Sequence, residues 1–328
     1  MKKFLSIIIP KYKESEKEMF PLLSSINGQI GIDFCDIEVI IAIDGIKNGS
    51  NVTLDDNFLK MFNFETKQIL LEKNVGPGVT RQAGINAAQG EYIMFCDADD
   101  TLHNVGVLGA FMQEAERKAP DIIYSSWLEE IKENDNYIYL THENENTWMH
   151  GKLFRRHFLL QNNICFHENL KVHEDSYFLS IAGTFTERKI KMPFTSYVWK
   201  YNAKSITRKN NSEYTYKSVP DFIRAFTLSM EKIKAHAPDK IEYCTIQFVM
   251  YNYFTYQRKD WQKPENKKYR IAAEQEFSYH IEPFWIYFKN ANAQKISEIY
   301  NQERSRVLTD GSVETELFVD WINRLGLK

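Results

Sequence analysis

Apolar positions fall into continuous β-branched runs at the start of the chain and into helically spaced stripes towards its end. Phe4 to Ile9, stopped by Pro10, and Ile37 to Ile43, ended by Asp44-Gly45, read as strands buried on both faces. A shorter run from Gln68 to Leu71 and another from Tyr92 to Cys96, ended by Asp97, add two strands. Between the first two, residues 16 to 28 set Met19, Leu22, Leu23 and Ile26 on one helical face. Thr80 to Ala88 reads as a further helix, closed by Gly90. Strands alternating with helices predict an α/β layer with a mainly parallel sheet, whose ligands bind beyond the carboxyl ends of the strands.

From about residue 105 the pattern changes. Val107 to Arg117 is helical, Asp121 to Trp127 is strand-like, and Ile131 to Leu140 fits a hairpin arm around Asn134-Asp135-Asn136. Residues 151 to 160 and 174 to 183 read as helices, with strand-like pieces near Ile190 and from Ser196 to Tyr201. Beyond residue 215 the chain is helical and aromatic: Ile223, Phe226, Met230 and Ile233 form a stripe, followed by Tyr243, Phe248, Tyr251, Tyr253, Phe254 and Tyr256. The polar stretch Arg208 to Glu213 marks the expected boundary between a catalytic domain, 1–215, and a helical domain, 216–328.

At 328 residues, 43% hydrophobic and 26% charged, the chain can bury a full core, which excludes global disorder. A net charge of -3 gives no overall field for phosphate backbones and disfavours a general nucleic-acid binder. Cys35, Cys96, Cys165 and Cys244 lie far apart without metal-ligand spacing and read as reduced thiols of a cytoplasmic protein. The apolar run after Met1-Lys2-Lys3 is too short for a signal peptide or a membrane span.

Chemistry concentrates where the fourth strand ends. In an extended backbone Asp97 and Asp99 project to one side, and two hard oxygen donors suit Mg²⁺ or Mn²⁺ holding a diphosphate. The competing reading is an acidic turn that caps the next helix. Upstream, Asn74-Val75-Gly76-Pro77-Gly78 leaves a strand and opens a helix carrying Arg81, which occupies the third glycine's place in a dinucleotide fingerprint and argues against a dehydrogenase. Arg81 can meet a phosphate or carboxylate, or only a surface partner. Glu174-Asp175 taken alone reads as an acidic first turn of a helix.

Together these segments resemble family 2 glycosyltransferases of the GT-A fold. Ser6-Ile7-Ile8-Ile9-Pro10-x-Tyr12, Glu38 to Gly45, Asn74-x-Gly76 with Arg81 and Gly84, and Gly90 to Asp100 match in order and spacing. The likeness continues through Gly151-Lys152-Leu153-Phe154-Arg155-Arg156, through His173-Glu174-Asp175-x-x-Phe178, and through Tyr201 with Ser205-Ile206-Thr207. It implies a mainly parallel mixed sheet flanked by helices. It also implies a nucleotide-sugar donor of the UDP type, a divalent cation and a hydroxyl acceptor. Pro10, Tyr12, Asp44, Asn74, Gly76, Arg81, Asp97 and Lys152 would line the donor site, with Asp44 accepting from the base imide. Asp99, with Asp97, would hold Mn²⁺ or Mg²⁺, and Asp175, beside Glu174, would be the general base of a single inverting displacement.

The chain departs from the family's pattern at two positions. One acidic residue, Asp44, precedes Gly45 where two are usual, and Lys13 stands where Asn is typical; both bear on the nucleoside. Gln257-Arg258-Lys259-Asp260-Trp261 does not match the signature of processive synthases, so transfer of a single sugar is expected. His150 and His173 adjoin candidate site residues, while Trp148 and Trp199 suit either a sugar face or a core. The aromatic tail suits helix packing, a homodimer interface or an acceptor platform. Lysine-rich pieces leave membrane-surface and DNA acceptors open. A sugar-nucleotide pyrophosphorylase is a weak rival, since Pro10-Lys11-Tyr12-Lys13-Glu14 replaces its glycine-rich loop. A non-catalytic nucleotide- or glycan-binding protein that keeps the fold is the rival of a different class.

Overall fold

The computed structural model describes residues 3–46, 53–143, 148–203, 205 and 213–327. By internal contacts the chain divides into two units, Met1–Ala203 and Lys204–Lys328. Most of the polar boundary stretch lies outside the described residues, as do Ile206 and Thr207.

In the first unit the elements are β1 (Leu5–Lys11), α1 (Glu16–Asn27), β2 (Ile37–Ile43), α2 (Asp56–Leu59), β3 (Glu65–Leu70), α3 (Pro77–Ala87) and β4 (Tyr92–Phe95). They continue as β5 (Thr101–Leu102), α4 (Val107–Lys118), β6 (Ile122–Glu133), β7 (Asn136–His142), β8 (Lys152–Arg155), α5 (Arg156–Gln161), α6 (Glu174–Thr184) and β9 (Lys189–Trp199). The strands form one sheet in the order β3-β2-β1-β4-β8-β6-β9-β5, with β7 paired to β6. β1 to β4 run parallel, β8 is antiparallel to both β4 and β6, and β9 runs parallel to β6.

The unbroken apolar runs of β1 and β2 are explained by position, since Leu5, Ile7, Ile8, Ile9 and the apolar residues of β2 are covered on both faces. Ser15 and Glu18 form a capping box that starts α1, and the predicted stripe Met19, Leu22, Leu23 and Ile26 is buried. α3 packs on the sheet through Gly84, where a Cβ would stand 2.3 Å from Ile8 Cγ2.

Two expectations are corrected. Pro10 does not stop β1, which runs on to Lys11. Ile8 O accepts from Cys96 N, so Pro10, two residues on, faces the same side beyond the end of β4, where no ladder bond needs its missing N–H. Residues 152–155 are strand rather than helix, because Lys152 to Arg155 complete the ladders of β4 and β6 on both sides.

The second unit is helical: α7 (Glu213–Lys217), α8 (Val219–His236), α9 (Ile241–Gln257), α10 (Lys267–Ile281), α11 (Trp285–Lys289), α12 (Ala293–Val307) and α13 (Phe318–Arg324). Much of its aromatic stripe is interior. Phe226 stacks on Phe248 at 4.4 Å, Tyr253 meets Trp321 at 5.4 Å, and Phe248, Tyr253, Phe254 and Tyr256 are buried. These buried rings belong to the unit's own core, whereas Tyr243 of the same stripe is 38% exposed. Among the described residues no helix is long and apolar enough to cross a membrane.

Candidate active site

Because β1, β2, β3 and β4 are parallel, their carboxyl ends share one edge of the sheet. Pro10 lies near the end of β1 and Tyr12 just beyond it, Asp44 follows β2, Asn74 and Gly76 lie in the loop after β3, and Asp97 to Asp100 follow β4. Gly45, at φ +81, takes a left-handed turn in which a Cβ would lie 2.7 Å from Asn74 N. Asp44 is buried, and its carboxylate accepts from Val75 N at 2.7 Å and Gly76 N at 3.0 Å. That carboxylate, expected to face a base, therefore also fixes the 74–76 loop.

Arg81 links three segments. Its guanidinium donates from Nη2 to Asp97 at 2.7 Å and from Nη1 to Glu174 at 2.8 Å, with the Arg81 side chain 7% exposed. Gly78 makes the approach of α6 possible, since a Cβ there would meet Glu174 Cγ at 2.7 Å. Burial opposes the charge on Arg81, but Asp97 and Glu174 more than offset it and raise its pKa. Burial also works against ionised Asp97, and Arg81 outweighs it, holding that carboxyl below the usual range. Sequence reasoning placed Arg81 in the donor site, whereas the pairing with Glu174, 93 residues away, needed the fold.

The acidic pair at the start of α6 divides by environment. Glu174 is buried and bound to Arg81. Asp175 is half-buried, and burial, then the charge of Glu174, lift its pKa to about 7. A carboxylate with that pKa is suited to accept a proton near neutral pH.

Asp99 accepts from Asn202 Nδ2 at 2.7 Å, and burial raises its pKa. Asp100 is fully buried and accepts from the Tyr197 hydroxyl at 2.7 Å and from Lys200 N at 2.8 Å, while Asp97 N donates to the same hydroxyl. Asn202 and Tyr197 were not found from the sequence; each is an ordinary residue in a polar or β-like stretch, and only strand register brings them in. Lys152, expected at the donor, donates to the carbonyls of Trp148 and His150, at 2.7 and 3.3 Å. Arg81 thus pairs with Asp97 and Glu174 and feels the charge of Asp175, while Asp99 and Asp100 stand beside Asp97 in the loop after β4. This excess of oxygen donors fits a hard divalent cation.

A mixed sheet with this edge of carboxylates and loop amides defines the GT-A architecture. The family model described as glycosyl transferase family 2 matches residues 6–169, half of the chain, and the protein belongs to that family. The match ends before Glu174, so the acidic pair enters the site on geometry. The glycosyltransferase EpsJ of Bacillus subtilis is 26% identical over 238 residues, covering 66% of this chain and 65% of EpsJ. Staphylococcus aureus TarS, a poly(ribitol-phosphate) beta-N-acetylglucosaminyltransferase, is 29% identical over 196 residues, 54% of this chain and 32% of TarS. The chain thus spans less than two thirds of either relative. The structure of TarS 1-349 with UDP-GlcNAc aligns with a TM-score of 0.65 at 21% identity, covering 92% of this chain and 90% of that one. Mannosyltransferase PcManGT from Pyrobaculum calidifontis, solved with GDP-Man and Mn²⁺, aligns with a TM-score of 0.51 at 12% identity, over 100% and 85% of the two chains.

Proposed function

We propose that this protein transfers a single sugar from a nucleotide-sugar donor of the UDP type to an acceptor hydroxyl, with inversion, and that unit 1 carries the reaction. The observation that carries the reading is the split between adjacent carboxylates: Glu174 is committed to Arg81, whereas Asp175 has a pKa of about 7. In this reading the 74–76 loop, held by Asp44, shapes the nucleoside pocket with Pro10 and Tyr12. Arg81 supplies positive charge next to the departing diphosphate, the group on which charge grows most. Asp175 takes the proton of the acceptor hydroxyl as that oxygen attacks the anomeric carbon from the face opposite the leaving group. A divalent cation on Asp97 and Asp99 would add countercharge to the diphosphate.

The complexes of TarS with UDP-GlcNAc and of PcManGT with GDP-Man support a nucleotide-sugar donor. TarS acts on poly(ribitol-phosphate), which favours a glycan or polyol hydroxyl as acceptor over a protein, a membrane surface or DNA. The test is release of nucleoside diphosphate from a panel of UDP- and GDP-sugars with Mn²⁺, in wild type and Asp175→Asn. The proposal expects turnover of a UDP-sugar that falls by about 10²- to 10⁴-fold in the variant. Equal turnover in the two proteins would remove Asp175 from the reaction, and no turnover of any donor would favour the binding-protein reading.

A further inference from the structure

Three donor atoms from two segments of the sheet converge near the loop after β4. One oxygen each of Asp97 and Asp100 and one ring nitrogen of His150 lie within 4.8 Å of one another. Asp97 and Asp100 follow β4, while His150 sits in the turn that enters β8, the antiparallel neighbour of β4. His150 is 4% exposed and enclosed by rings, with Tyr197 stacked at 4.7 Å and Trp127 at 5.0 Å. Its Nε2 is buried without a hydrogen-bond partner, a state that native interiors rarely tolerate. Gly151, at φ +62, is packed so tightly that a Cβ would fall 2.8 Å from Ser196 Oγ, which fixes the turn carrying the imidazole.

Within the cluster Asp97 has a basic partner, Arg81. Among the described residues no basic side chain pairs with Asp100, whose two hydrogen bonds use only part of its acceptor capacity. His150 Nε2, buried without a partner, leaves a ring nitrogen available to ligate.

We infer that Asp97, Asp100 and His150 form a resident site for a borderline divalent metal ion of the Mn²⁺, Co²⁺ or Zn²⁺ type. The site is distinct from the Asp97 and Asp99 pair expected to meet the diphosphate. Donors on one such ion sit about 2.0–2.2 Å from it and hence about 3–4 Å from each other, a slight contraction of the observed cluster. An imidazole ligand selects these ions over Mg²⁺ and Ca²⁺. Because Asp100 and His150 belong to the interior, the ion binds without nucleotide. It shares Asp97 with the loop that carries Asp99, and its occupancy sets the position of that loop. The inference rests on these three side chains and not on the proposed donor.

The test is a Co²⁺ titration of the full, chelator-treated chain in the absence of nucleotide, followed by visible absorption and by competition with Zn²⁺ and Mn²⁺. A single ion should bind wild type and Asp99→Asn alike. Binding should weaken by about 10-fold or more in Asp100→Asn and in His150→Phe, which keeps a ring in the aromatic cage. Should His150→Phe not fold, electron spin-echo spectra of Mn²⁺ on wild type decide, and imidazole nitrogen coupling is expected. No binding without UDP, binding lost only with Asp99, or bound Mn²⁺ without nitrogen coupling would each overturn the site. UDP binding in the same preparations reports on the transferase reading independently.

Discussion

Asp175 carries two opposite demands in one side chain. Its pKa, near 7 against 3.8 for an unperturbed Asp, means that the folded protein resists ionising it. The penalty is absent below about pH 4, grows as pH rises, and is complete above about pH 7, because the unfolded chain ionises first. Asp175→Asn should therefore melt higher than wild type at pH 8, by about 2–4 °C for each kcal/mol relieved, with the two converging at pH 4. In the proposed reaction the same ionisation creates the base, so kcat/KM should rise with pH and level off above about 7. A flat profile between pH 5 and 8 would contradict this assignment. Arg81 makes the complementary case: Arg81→Met leaves buried Glu174 and its partner Asp97 without their cation. Loss of one partner from a buried pair costs about 3–5 kcal/mol, which denaturant unfolding would register.

At the scale of elements, α3 and the start of α6 are joined through Gly78 and Arg81. Gly78→Ala puts a methyl group against Glu174 Cγ while leaving the helix intact, so it should lower turnover by about 10-fold or more with unchanged circular dichroism. The strands and helices that build this edge were legible, because β1, β2, β4 and α1 are buried on the faces their patterns predict. β8 was not legible. Lys152 to Arg155 are four residues with no period of their own, made a strand by neighbours on both sides. Among site residues, those in strand-end motifs could be read from the sequence. The engagement of Asp44 with loop amides, the bonds of Lys152 to carbonyls and the contacts of Tyr197 and Asn202 depend on distances that spacing does not encode.

Over the whole molecule, sequence membership and structure meet in the first unit, while the second adds a self-contained aromatic core. The family model ends at residue 169, and the proposed catalytic pair is tied to the donor edge by the Arg81 bridge and the close approach of Gly78. The central claim is that this edge holds a nucleoside diphosphate with a divalent cation. Thermal stability of the full chain against UDP, GDP, CMP, TDP and NAD, each with Mn²⁺, Mg²⁺ or chelator, tests it most directly. A ligand at a hundredfold its dissociation constant adds about 2.7 kcal/mol, a readable shift. The account predicts a shift with UDP that needs the cation and is lost in Asp99→Ala. A folded protein that no nucleotide stabilises under any of these conditions would contradict it.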